Sequence, residues 1–119
     1  MTILVAENDE LLRSQLRTIL SRAGYRVLEA ADGVRAVRLV AEQHVDALLL
    51  AVSLGGDDGG ALGHELRLDR PDLPIALVSG KSTVDDAKQR ANGLTDLVLA
   101  EPFTLEAVTG VARKLLADA

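Results

Sequence analysis

Short β-prone apolar runs alternate one for one with segments of helical periodicity along this chain, and that alternation restricts the fold more than any other property of the sequence. The first run, Thr2-Ile-Leu-Val-Ala6, ends abruptly in Glu7-Asn8-Asp9, where Asn8 or Asp9 can cap a helix. Leu12, Leu16, Ile19, Leu20 and Ala23 then recur at helical spacing, which predicts one buried stripe, until Gly24 stops the pattern. Arg26 to Ala30 reads as a second strand. The helix after Asp32-Gly33 places Val37, Val40 and Ala41 on its expected inner face. Asp46-Ala-Leu-Leu-Leu-Ala-Val52 is the clearest strand, and its unbroken apolar character suits a central strand covered on both faces. Gly55-Gly-Asp-Asp-Gly-Gly60 reads as a turn-rich loop. A third helix carrying Leu62 and Leu66 follows, fenced off by Pro71 and Pro74, and Ile75 to Val78 is the fourth strand. A helix from about Thr83 to Asn92 has Val84, Ala87 and Ala91 inward and ends at Gly93. Leu97 to Ala100 is the fifth strand. Thr104 caps a last helix with Leu105, Val108, Ala112 and Leu115 on one face.

Five strand–helix pairs in sequence predict an α/β fold: a doubly wound, five-stranded parallel sheet with helices on both faces. The 119 residues suit one domain spanning 1–119. With one Tyr, one Phe and no Trp, the core must be built from Leu, Val, Ala and Ile, and the composition argues against base-stacking platforms for single-stranded nucleic acid. A net charge of −5 gives no general attraction to DNA or anionic lipid. No cysteine is present, which excludes thiolate chemistry and Cys-based zinc sites. The longest apolar run, Ala47 to Val52, is far short of a membrane span, and no signal-peptide pattern is evident, so a cytoplasmic location is expected. In sheets of this kind chemistry gathers at the carboxyl ends of the strands. Those ends are Glu7-Asn8, Ala51, Ser79-Gly80 and Glu101-Pro102.

The same residues resemble the receiver domain of two-component response regulators over the whole chain. Ile3-Leu-Val-Ala-Glu-Asn-Asp-Glu10 is similar to the family's opening strand, whose end supplies a pair of magnesium-binding acids. Gly24-Tyr25, Asp46-Ala-Leu-Leu-Leu-Ala51, Asp58-Gly59, Leu77-Val-Ser79-Gly80 and Glu101-Pro102-Phe103 fall in register with further family motifs. The resemblance implies a flavodoxin-like sheet in order 2-1-3-4-5 and a cis bond before Pro102. It also implies a site where two acids and a phosphoacceptor Asp hold magnesium while a Ser/Thr and a Lys grip the phosphoryl oxygens.

Carried over residue by residue, that site is degenerate. Ala51 stands at the phosphoacceptor position, Asn8 replaces one of the paired acids, and Glu101 replaces the Lys. Glu7 and Ser79 remain. The resemblance therefore points to a pseudo-receiver, a non-enzymatic module with no resident metal or cofactor. An engineered change at Ala51 would explain that position alone, not Asn8 and Glu101. The resemblance implies that a histidine kinase or phosphotransferase docks on the first helix, and that an output domain or a second copy meets a face with Val84, Lys88, Val98 and Ala100. Val98 sits where the family has its switching aromatic.

The competing readings are weaker. Glu7, Asn8 and Asp9 could hold a divalent ion, but a polar helix N-terminus needs the same residues. Asp57 and Asp58 could accept a phosphoryl group, but Gly-Asp-Asp-Gly also suits an ordinary turn. His44, His64, Lys81 and Lys88 read as surface residues. A nucleotide second messenger could be bound by the vacated pocket or by a surface with Arg67, Arg70 and Arg90, since Arg supplies bidentate phosphate contacts.

Overall fold

The computed structural model describes residues 1–80, 84–91 and 93–117. In chain order the elements are β1 (Thr2–Ala6), α1 (Glu10–Arg22), β2 (Arg26–Ala30), α2 (Gly33–Glu42), β3 (Ala47–Ala51), β4 (Ser53–Leu54), β5 (Asp57–Asp58), α3 (Gly59–Asp69), β6 (Ile75–Ser79), α4 (Val84–Ala91), β7 (Val98–Ala100) and α5 (Leu105–Leu116). Five strands form one parallel sheet in the order β2-β1-β3-β6-β7, which is the expected 2-1-3-4-5 counted over that sheet. The remaining two, β4 and β5, form a separate antiparallel hairpin inside what the sequence suggests is a loop. Gly55 and Gly56 turn it with φ of 58° and 98°, backbone that residues with a Cβ rarely adopt.

Strand side chains alternate between two cores, as a period of two demands. Leu4, Leu48, Leu50, Ile75 and Leu77 pack with α2, α3 and α4 on one face. Ile3, Val5, Leu49, Ala76 and Val78 pack with α1 and α5 on the other. The three interior strands, β1, β3 and β6, are buried along their whole length, which is why they read as nearly unbroken apolar runs. Each fully buried leucine contributes roughly 2 kcal/mol through the area it removes from water.

Helix caps agree with the sequence in kind and fix which residue does the work. Asp9, not Asn8, caps α1, its Oδ1 accepting from the N–H groups of Leu11 at 2.9 Å and Leu12 at 3.1 Å. Asp32 caps α2, Asp58 caps α3 and Thr104 caps α5. Four inward assignments are corrected. Ala23, at the C-cap of α1, is exposed. On α2 the buried residues are Gly33, Ala36, Leu39 and Val40, whereas Val37 is 38% exposed and Ala41 lies outside the buried face. On α5 Leu105 is exposed at the first turn while Val108, Ala112 and Leu115 are buried. Thr83 and Asn92, the expected bounds of the fourth helix, lie outside the described residues, as does Lys81.

Candidate functional site at the strand ends

Parallel strands deliver their last residues to one edge of the sheet, so Glu7, Ala51, Ser79 and Glu101 arrive together although they are far apart in sequence. A cleft of about 350 Å³ opens there, lined among others by Glu7, Asp9, Ala51, Gly80, Arg90 and Glu101.

Glu7 follows β1 and is nearly closed off from solvent. Burial pushes its carboxyl above the ordinary value, opposed by the Asp9 N–H, which donates to Oε2 at 3.1 Å. Arg13 on α1 donates to the Glu7 carbonyl at 2.8 Å and pairs with Glu29 at 3.4 Å, which ties the end of β1 to α1 and β2. Asn8 is exposed and turns away, its Nδ2 donating to the Ala31 carbonyl at 3.3 Å. Ala51 ends β3, buried, in register with Val78 of β6. Its side chain is a methyl group, with no atom able to attack or be phosphorylated. Ser79 ends β6 with no exposed surface, and neither it nor Asn8 lines the cleft. Glu101 is exposed, follows β7, and precedes a cis bond to Pro102. Its Oε2 lies 3.9 Å from where a Cβ on Gly80 would be.

The cleft thus collects three carboxylates, Glu7, Asp9 and Glu101, against one guanidinium, Arg90. Magnesium needs hard oxygen donors in a near-octahedral shell. Here Glu7 already accepts a backbone hydrogen bond, Asp9 caps a helix, Asn8 faces elsewhere and Ala51 offers no oxygen. Among the described residues no three His, Cys, Asp or Glu side chains are gathered so as to hold a metal ion. The residues present do not fit the magnesium site that the sequence resemblance implies.

Arg90 was grouped by sequence with Arg67 and Arg70, and the structure separates them. Arg67 donates to the carbonyls of Leu73 at 3.1 Å and Leu94 at 2.6 Å, and Arg70 to that of Val45 at 3.0 Å. These two line a concavity at the opposite, N-terminal ends of β3, β6 and β7. They serve as backbone anchors there. No single surface presents all three arginines. His44 is exposed and meets Asp46 Oδ1 at 2.9 Å, and His64 lies 3.2 Å from the Ala91 carbonyl, so the histidines sit apart on separate elements. On the expected partner face Lys88 is exposed on α4, and Val98 and Ala100 are half-buried on β7, an edge strand against which α4 packs. Val84 begins α4, but its side chain lies outside the described residues.

A model of the response regulator receiver domain matches residues 3–113. The chain belongs to the receiver domain family. The response regulator MprA of Mycobacterium avium (strain 104) is 36% identical over 116 residues, 98% of this chain and 51% of MprA. The chain spans about half the length of the curated relatives it matches. Among solved structures, a putative response regulator from Chloroflexus aurantiacus J-10-fl superposes with a TM-score of 0.89 at 28% identity, covering 98% of this chain and 97% of that one. The receiver domain of NtrX from Brucella abortus gives 0.87 at 25% identity, covering 98% and 99%. This receiver therefore has the flavodoxin-like fold of its neighbours. Receiver domains of response regulators are two-component signalling modules that work with kinases and output domains. Among the described residues of this receiver, no helix is long and apolar enough to cross a membrane.

Proposed function

We propose that this receiver-like domain, residues 1–119, acts in two-component or phosphorelay signalling through protein contacts, without being phosphorylated itself. The observation that carries the reading is Ala51: the residue at the end of β3, where the family places its phosphoacceptor, is a buried methyl group. Two neighbours support it. Glu101 brings a carboxylate where a lysine would attract phosphate, and Asn8 turns its amide to the Ala31 carbonyl, outside the cleft. Among the described residues, a phosphoryl group entering this cleft meets the carboxylates of Glu7, Asp9 and Glu101 with the guanidinium of Arg90 to offset them, so its transfer is electrostatically opposed.

On this reading the domain is a non-enzymatic cytoplasmic module. Its partner is a histidine kinase or a phosphotransferase docked on α1, or an output domain bound through the face with Val84, Lys88, Val98 and Ala100, which can also serve a homodimer. With Val98 where the family carries an aromatic, phosphorylation has no aromatic rotamer to move. Incubation with acetyl phosphate and magnesium, followed by intact-mass measurement and peptide mapping, tests the proposal. The unmodified mass is expected. A phosphopeptide recovered at substantial stoichiometry, from any residue, overturns it.

A further inference from the structure

A groove of about 460 Å³ runs between α2 and α3 and shares no lining residue with the strand-end cleft. Leu62 forms part of its floor, and Val34 and Val37, one turn apart on α2, form an apolar wall. Val34 is 72% exposed, although β-branched residues are poor helix formers and gain nothing at a solvated position. A single exposed apolar side chain is ordinary, but two adjacent ones lining a concavity form a surface suited to a partner. Three carboxylates, Asp57, Asp58 and Glu65, rim the groove against one guanidinium, Arg38, which itself lies 4.0 Å from Glu42.

We propose that this groove docks a cationic, apolar-faced helix of a partner protein. Apolar side chains on such a helix bury against Val34, Val37 and Leu62, while flanking lysines or arginines meet the acidic rim. An isologous contact with a second copy would set the same carboxylates against each other, which disfavours self-association here. The inference does not depend on whether the domain is phosphorylated.

The test uses two synthetic amphipathic helices with the same leucine face, one carrying lysines and the other glutamates on its polar face. Each is titrated into the 15N-labelled domain. The lysine peptide is expected to saturate, with amide shifts centred on Val34, Val37, Asp57, Ala61 and Glu65 that weaken with added salt. Val34→Asp should weaken binding about tenfold, the factor that losing the burial of one valine side chain implies. Asp57→Asn together with Glu65→Gln leaves the apolar wall intact and should reduce the salt dependence. The proposal fails if the lysine peptide does not saturate, if shifts centre on another face, or if the glutamate peptide binds equally well. It also fails if both variants bind like the parent, or if the same amides shift with protein concentration alone, which would make a second copy the occupant.

Discussion

Glu7 illustrates what a single residue contributes at the strand ends. Its carboxyl titrates above the ordinary value because burial disfavours its charged form more than the Asp9 N–H favours it. A carboxyl whose folded pKa is raised binds its proton more tightly in the folded state. Its contribution to stability is therefore fully present below the unfolded pKa and is lost as pH rises through the folded one. Glu7→Gln keeps an oxygen for the Asp9 N–H and removes the charge. The variant should be more stable than the parent at pH 7, with the difference closing below about pH 4, where the parent is also neutral. Urea unfolding at the two pH values checks this, and a less stable variant at pH 7 would show that the charge is favourable where it sits. The identities of Glu7, Asn8, Ala51 and Glu101 were all legible in the sequence because each ends or follows a recognisable strand. Arg90 was not legible as a member of the same cleft. It comes from α4, whose local pattern says only that the position is exposed, and the packing of α4 against the sheet decides where its side chain lies.

At the scale of elements, α3 shows why a run of glycines need not be a flexible loop. Gly55 and Gly56 do turn the β4–β5 hairpin, but Gly59 and Gly60 are the first residues of α3. A Cβ on Gly59 would fall against the Ala51 carbonyl oxygen and one on Gly60 against that of Arg90, both closer than atoms can approach. Backbone cannot move aside as a flexible side chain does. Gly59→Ala should therefore destabilise the domain by about 3 kcal/mol through overpacking, even though alanine is the better helix former. Denaturant midpoints measure this, and an unchanged midpoint would contradict the close approach of α3 to the end of β3. The same distinction between size and position accounts for the misassigned helix faces. The apolar period of α2 fits Val37 and Ala41 as readily as Ala36 and Leu39, and only the orientation of the docked helix decides that Ala36, Leu39 and Val40 are the buried ones. Leu105 has the right spacing on α5 but lies in its first turn, where the helix has not yet reached the core.

For the whole molecule, topology was the most legible property. Alternating elements, short connections and right-handed crossovers leave few arrangements of five parallel strands. The apolar runs around Leu4, Leu48 and Leu77 mark β1, β3 and β6 as the doubly covered interior. Which distant residues share a cleft follows only once the sheet is assembled, as the separation of Arg90 from Arg67 and Arg70 shows. That assembly also makes the strand-end residues one unit, so their effects on phosphoryl transfer should be strongly non-additive. Ala51→Asp alone supplies a nucleophile but sets it in a cleft with Glu7 and Glu101, the latter at the position of the family's lysine, and with Asn8 still in place of an acid. Adding Asn8→Asp removes the amide that donates to the Ala31 carbonyl and puts a carboxylate at the position of the family's second acid, and Glu101→Lys replaces an anion by a cation. The most direct test is the rate of phosphorylation by acetyl phosphate with magnesium for the single and triple variants under identical conditions. The triple variant should accept phosphate far faster than the single one. If Ala51→Asp alone performs as well as the triple variant, the strand ends form a working receiver site lacking only its nucleophile, and a site altered at several positions is contradicted.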